Sequence, residues 1–378
     1  MPFILLSLVI AFICFNGVIP IEAKSFLYAL SLSLKSLLLF CLPFLIFMLL
    51  FKTMAQLSRG ATKLILLIVS AVCCSNFIST MISYPIGSLI YRMDLSLSLP
   101  ESSSALTPSW VFSLPKLIPN DLALFSGILL GIFFSLFAPK IANRIAPIFE
   151  RLVTVIFRFF IYIIPLFISG FAIKLAHEKT LGTILQNYAL VFLMIFLSLF
   201  LYISFLYLFA NRFRFSDALQ SAKNMTPAAI AGFSTMSSVA AMPLTLNGCE
   251  KNAPPELARL SVPVTVNTHL IGDCFAIPIL AFAMIKSFGA ADPSFVSYLL
   301  FAFYFVLAKF SVASVPGGGV LVMLPVLETQ LGFTPEMSSL MTAVYILFDP
   351  LITTANIFGN GGFVLVLKRA FRASFGRA

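Results

Sequence analysis

The chain has 378 residues, 60% of them hydrophobic and only 10% charged, with a mean hydropathy of +1.05. Soluble domains carry about 25% charge, so this composition excludes a water-soluble globular protein and marks a polytopic membrane protein. The net charge of +10 does not indicate a nucleic-acid binder, because Lys and Arg lie in short clusters between apolar runs, as cytoplasmic loops do.

A membrane span needs about 20 apolar residues. Taken in chain order, spans are predicted at roughly 3–20, 26–51, 62–91, 122–139, 146–175 and 183–210. A complicated region at 216–250 follows, then a span at 257–285, a second complicated region at 293–333 and a last span at 336–367. The N-terminal run MPFILLSLVIAFICFNG has no basic residues ahead of it and reads as a first spanning helix rather than a cleaved leader. The Ser- and Pro-rich stretch 93–121 reads as a loop. The six cysteines, Cys14, Cys41, Cys73, Cys74, Cys249 and Cys274, have neither metal-ligand nor disulfide-framework spacing, and are read as small hydrophobes.

Charge gives an orientation. Lys52, Arg59 and Lys63 lie between spans 2 and 3, Lys140, Arg144 and Arg151 between spans 4 and 5, and Arg212, Arg214 and Lys223 after span 6. Lys368, Arg369, Arg372 and Arg377 close the chain, while acids balance bases in the alternate loops. The positive-inside rule then puts both termini in the cytoplasm. That requires each complicated region to re-emerge on the side it entered.

Both regions carry the signs of broken helices. The first contains AGFSTMSSVAAMPLTL, with Ser237 and Ser238 at its centre; the second contains KFSVASVPGGGVLVMLPVL, broken at Pro316, Gly317, Gly318 and Gly319. Proline lacks an N–H and glycine loosens the backbone, so neither arm of the second region continues through as one helix. Non-helical backbone at membrane depth occurs only where protein buries it or it lines a cavity. Two such segments in comparable positions point to a transporter binding site. The bland alternatives are an ordinary turn at VPGGG and small-residue packing at the serines.

The last span carries a polar stripe. Asp349, Thr353, Asn356 and Asn360 follow one another at positions that share one helical face. A charge in lipid costs a few kcal/mol or more, so Asp349 is a functional candidate, against a bland reading as a headgroup-level carboxylate. His269 and Asp273 stand four apart, on one helical face, in an otherwise apolar span. Lys309 lies in the arm before the second break, where it is expected to snorkel to the interface. The bolder reading is that its ammonium replaces a bound cation near the tip.

FSTMSSVAAMPLT (233–245), SVPGGG (314–319) and FDPLITTANIFGN (348–360) together resemble the motifs of the dicarboxylate/amino acid:cation symporters, which include the glutamate transporter homologues. The order of parts is similar over nearly the whole chain. The resemblance implies an all-α membrane protein of eight transmembrane helices plus two re-entrant hairpins, built from inverted repeats and working as an elevator-type carrier, usually a homotrimer. It implies a scaffold of spans 1–2 (within 1–121) and 4–5 (122–175). The moving parts would be span 3, span 6 (183–212), hairpin 1 (216–250), span 7 (257–286), hairpin 2 (293–333) and span 8 (336–367), ahead of a basic tail (368–378). By the same resemblance, Ser237, Ser238, Asn356 and the tip from Val315 through Pro316, Gly317 and Gly318 to Gly319 hold a substrate α-carboxylate. Asp349 pairs with an α-amino group and Thr353 contacts the substrate.

Two departures bear on substrate and ion. Acidic-substrate members carry an arginine one turn after the aspartate; here that position is Ile352. A second substrate carboxylate would lie unpaired there and be repelled by Asp349, which points to a neutral amino acid. Sodium-coupled members carry Asn-Met-Asp-Gly-Thr in span 7, and the matching stretch is His269-Leu270-Ile271-Gly272-Asp273. The sodium aspartates fall on Ile271 and Asn360, leaving a weakened sodium site near Asn356 and Asn360. Proton coupling through His269, Asp273 and Asp349 is the expectation, with H+ favoured over Na+, and the bland alternative is a buried His–Asp pair that only packs the span. No organic cofactor is expected. The rival readings are a glutamate/aspartate or C4-dicarboxylate symporter, an anion-conducting channel, an intramembrane enzyme and a non-transporting paralogue. No G-x-S-x-G, H-E-x-x-H or P-loop pattern supports an enzyme. A bacterial inner membrane is the expected location, and membrane lipid, a small-molecule substrate and a coupling cation are the expected partners.

Overall fold

The computed structural model describes residues 17–57, 62–93, 106–115, 117–177, 180–312 and 317–370. Most of the first predicted span, the loop residues 94–105 and the end of the basic tail fall outside the described residues. Among the described residues there are twelve α-helices and no strand. Among the described residues four stretches are long and apolar enough to cross a membrane: Leu67–Arg92, Tyr188–Ala210, Pro255–Ser287 and Met337–Ala370.

The helices pack in two groups. α1 (Ile21–Leu57), α3 (Asn120–Phe137) and α4 (Pro139–His177) lie against one another. Lipid gives no hydrophobic drive to helix association, so close backbone approach takes its place. Gly170 of α4 sits on the Leu27 carbonyl and Ser31 of α1, and Gly131 of α3 sits on Met54 and Phe51, with no room for a methyl at either. Ser135 of α3 ties the pair further by donating to the Ala55 carbonyl at 3.1 Å.

The second group comprises α2 (Thr62–Arg92), α5 (Thr180–Ala210) and the remaining helices, α6 (Phe215–Thr235), α7 (Met242–Asn252), α8 (Pro255–Thr268), α9 (Ile271–Ser287), α10 (Phe295–Lys309), α11 (Gly318–Leu331) and α12 (Pro335–Ala370). α12 runs through it, touching α5 to α9 and α11. The outward faces stay apolar and exposed, with Leu129, Phe133 and Phe137 on α3 and Phe196, Phe200 and Phe205 on α5. So much exposed apolar surface suits lipid, not water.

Two helix pairs turn back on themselves. Asn252 at the end of α7 accepts from Asn224 and donates to the Ser221 carbonyl near the start of α6, at 2.7 and 2.9 Å. The chain therefore returns to the end from which it came. α10 and α11 pack together with 15 and 14 residues. At 1.5 Å per residue each reaches only about 22 Å, short of a hydrocarbon core of about 30 Å.

The span predicted over 257–285 is not one helix. α8 ends at Thr268 and α9 begins at Ile271, with His269 and Leu270 non-helical between them. His269 and Asp273 therefore do not share a helical face. Neither proline nor glycine lies at the break itself; side chains from other helices make it. In a continuous helix the Gly272 N–H would donate to the Thr268 carbonyl. Here the Thr268 carbonyl accepts from Asn76 of α2 at 2.6 Å, and the Gly272 N–H donates to Asn356 of α12 at 2.7 Å. Both orphaned backbone groups are satisfied, as burial demands.

Candidate functional site

The breaks at 269–270 and before 318 meet on α12. Gly317 precedes α11 in a left-handed conformation, with φ +72°, and its N–H donates to Asp349 Oδ2 at 2.7 Å. Glycine adopts that conformation without the Cβ penalty. Thr353, one turn after Asp349, donates to Oδ1 at 3.1 Å. The carboxylate thus bridges the start of α11 and the middle of α12, and is 95% buried at 5% relative exposure. Pro350 next to it has no N–H, so the Ile346 carbonyl one turn back loses its helical donor. Gly318 and Gly319 open α11 and are buried beside it; Val315 and Pro316 lie outside the described residues.

A second group surrounds Asp273 at the start of α9. Tyr345 of α12 donates to Oδ1, Asn356 donates to Oδ2 at 3.2 Å, and Lys309 Nζ stands 3.5 Å from Oδ2. Lys309 does not snorkel. Its side chain is fully buried, with the ammonium 4.4 Å from the Phe305 ring centroid. The expected interfacial position fails because a carboxylate lies within reach inside the protein, and a buried lysine is stabilised by such a partner. Gly319 packs directly over the Asp273–Tyr345 contact, with no space for a side chain.

The third group holds His269. Nδ1 is 3.0 Å from Asn360 Oδ1 and Nε2 is 2.9 Å from Ser75 Oγ of α2, while the ring lies on Phe363. A neutral imidazole donates at one nitrogen and accepts at the other, which both partners allow. His269 is paired with Asn360 and Ser75, not with Asp273.

Ser237 and Ser238 occupy the turn between α6 and α7, where Ser237 Oγ accepts the Ala240 N–H at 3.2 Å. α6 meets the site at Gly232, which packs on Thr353 and Ile357 of α12. Ile352 is buried beside the polar stripe rather than on it. It abuts Gly272, and with Phe192, Phe196, Phe348 and Leu351 lines an apolar cavity of about 440 Å³. Asn356 Oδ1 and Asn360 Oδ1, the oxygens expected near a sodium ion, are engaged by Gly272 and His269. Among the described residues no cluster of three or more His, Cys, Asp or Glu could hold a metal ion.

The sequence missed two contributors. Tyr345 stands one turn before Asp349 on the same stripe, which the sequence reading begins only at Asp349. Ser75, Asn76, Ser79, Thr80 and Ser83 form a polar seam along α2, and Asn76, Ser79, Thr80 and Ser83 are fully buried. Its helical spacing was the available signal.

A helical membrane protein with a buried polar centre assembled from interrupted helices is the architecture of a transporter. The chain belongs to the sodium:dicarboxylate symporter family, whose pattern it matches over residues 1–370. It is also 26% identical over 147 residues to a Caenorhabditis elegans protein named as a sodium-dependent excitatory amino acid transporter, glt-4. That match takes in 38% of this chain and 29% of the relative's length.

Proposed function

We propose that this protein is a secondary active symporter for an amino acid with an uncharged side chain, coupled to a cation, a proton in preference to sodium. The observation that carries the reading is the company Asp349 keeps. Among the described residues its hydrogen-bond donors are the neutral Gly317 N–H and Thr353 hydroxyl, while the buried lysine is engaged by Asp273. An ionised carboxylate in that setting calls for a cation, and a substrate α-ammonium supplies one. The α-carboxylate would take the free N–H groups that open α11, together with Ser237, Ser238 and Asn356.

A charge count then favours symport. Asp273 and Lys309 cancel, Asp349 and the ammonium cancel, and the substrate carboxylate remains. One coupled cation neutralises it. His269 suits a proton, because Ser75 can turn from donor to acceptor when Nε2 gains a hydrogen, with no heavy atom displaced. The engaged oxygens of Asn356 and Asn360 disfavour sodium between them.

In this reading α6–α7 and α10–α11 are the two re-entrant hairpins among eight spans arranged as inverted repeats. α1, α3 and α4 form the scaffold of a homotrimer, and α2 with α5–α12 the moving body of an elevator; the two packing groups support that division. Both termini would lie in the cytoplasm, in a bacterial inner membrane. A second reading, uptake of glutamate, aspartate or a C4-dicarboxylate with sodium, is favoured by the names of the family and the relative. Ile352 argues against it, since it offers a second carboxylate no partner.

Uptake of labelled amino acids into proteoliposomes, under separately imposed proton and sodium gradients, tests both. Uptake of a neutral amino acid driven by the proton gradient is expected. Sodium-driven glutamate uptake, indifferent to the proton gradient, would overturn the substrate and the ion together.

A further inference from the structure

We propose that the Lys309 ammonium is a tethered cation: fixed against Asp273, it does the work of a free monovalent ion, so that this part of the site needs no sodium. The lysine side chain is fully buried and Asp273 is nearly so, at 2%. Lysine at such depth occurs almost solely as one half of a pair. The geometry is that of a charge held by charge. Nζ is 3.5 Å from Asp273 Oδ2 and 4.4 Å from the Phe305 ring centroid, and among the described residues it makes no hydrogen bond. A compact ammonium resting between a carboxylate and an aromatic face behaves as a point charge.

The other partners of Asp273 fit the same reading. Tyr345 and Asn356 both donate to it, so its oxygens are surrounded by donors on α12 and the ammonium on α10. Lys309 is the last residue of α10, immediately before the chain turns toward the tip and α11. Its ammonium therefore ties one arm of this helix pair to the start of α9. A free ion in that position would let the arm engage only when the ion arrived. A covalently attached one makes the engagement independent of external sodium.

The consequence for coupling rests on the carrier reading given above, but the cation site itself can be measured without any substrate. The purified full chain is unfolded thermally in sodium chloride and in choline chloride at equal ionic strength. Three proteins are compared: wild type, Lys309→Ala, and Lys309→Ala combined with Asp273→Asn. A ligand that binds only the folded state raises the melting temperature in a saturable way. Lys309→Ala leaves a buried carboxylate beside an ammonium-sized space. Sodium should stabilise it by several degrees more than it stabilises the wild type, and the double variant should lose that gain. If Lys309→Ala cannot be purified folded in choline, recovery in sodium alone supports the proposal. No sodium gain over the wild type, an equal gain in the double variant, or no recovery in either salt overturns it and leaves Lys309 a packing residue. Because no transported molecule enters the measurement, this result and the amino-acid assay can fail independently.

Discussion

Asp349 accepts the N–H of Gly317 at 2.7 Å, so the middle of α12 and the entrance to α11 share one hydrogen bond. A charge-assisted bond of this kind contributes about 1.5–3 kcal/mol, and it positions the carboxylate as well as binding it. The bond also makes the position of α11 sensitive to what else Asp349 binds. A substrate ammonium arriving at the carboxylate would act on the same oxygens that hold the tip.

Asp349→Asn should therefore separate folding from binding. The amide keeps the shape: its oxygen can accept from Gly317, and its NH2 can donate to the Thr353 hydroxyl, which turns to accept, so the protein should remain folded with a nearly unchanged melting temperature. What it loses is the charge. Removing one member of a desolvated ion pair costs about 2–5 kcal/mol, so uptake of the neutral amino acid should fall by about 30-fold or more. Undiminished uptake by this variant would place the ammonium elsewhere.

Gly317 and Gly332 offer a matched pair of substitutions. Both have positive φ, +72° and +68°, and flank α11 at opposite ends. Alanine at either incurs a left-handed penalty of about 1–2 kcal/mol. At Gly332 the added methyl meets nothing within 4 Å, whereas at Gly317 it meets Ile346 at 3.0 Å. Gly332→Ala should lower the melting temperature and leave uptake intact. Gly317→Ala should lower uptake several-fold beyond any stability effect, read as a changed ratio of transport to folded protein. Equal transport defects would detach Gly317 from the site.

How much of this was legible in the sequence follows from how each part is made. Asp349, Thr353, Asn356 and Asn360 could be read because one helix carries them and its periodicity is local; the two helix breaks at 236–241 and after 309 could be read from serine, proline and glycine. The break at His269 could not, because Asn76 and Asn356 impose it from helices distant in sequence. The Lys309–Asp273 pair was hidden for the same reason. Local patterns locate polar residues, while tertiary packing alone decides their partners. Hence the expectations of Lys309 at the interface and His269 beside Asp273 both fail: Lys309 is ion-paired with Asp273, and His269 is bonded to Asn360 and Ser75.

The role given to Asn76 in that break can be measured. Asn76→Ala removes the donor to the buried Thr268 carbonyl, and a buried acceptor left unsatisfied costs about 1–3 kcal/mol. A lower unfolding temperature is expected, together with faster amide exchange around residues 268–272, where α8 and α9 separate. Asn76→Asp also lacks the donor and adds a buried charge, so it should be worse. If Asn76→Ala were as stable as the wild type, the Thr268 carbonyl must have found water, and the break would owe nothing to α2.

His269→Gln tests the route proposed for the proton. Glutamine is similar in length and can both donate and accept, so bonds to Asn360 and Ser75 can be kept and the local fold should survive. It cannot take up a proton in any accessible pH range. Exchange of labelled for unlabelled amino acid across the membrane needs no net driving force, and should continue at a rate within a few-fold of wild type. Net accumulation under an imposed proton gradient should fall at least tenfold if the imidazole carries the driving ion as proposed. The contrast between those two assays is diagnostic, since a misfolded protein would lose both. Retained proton-driven accumulation would move the coupling to Asp273 or Asp349, and His269 would then be a structural link that holds the α8–α9 break against α12.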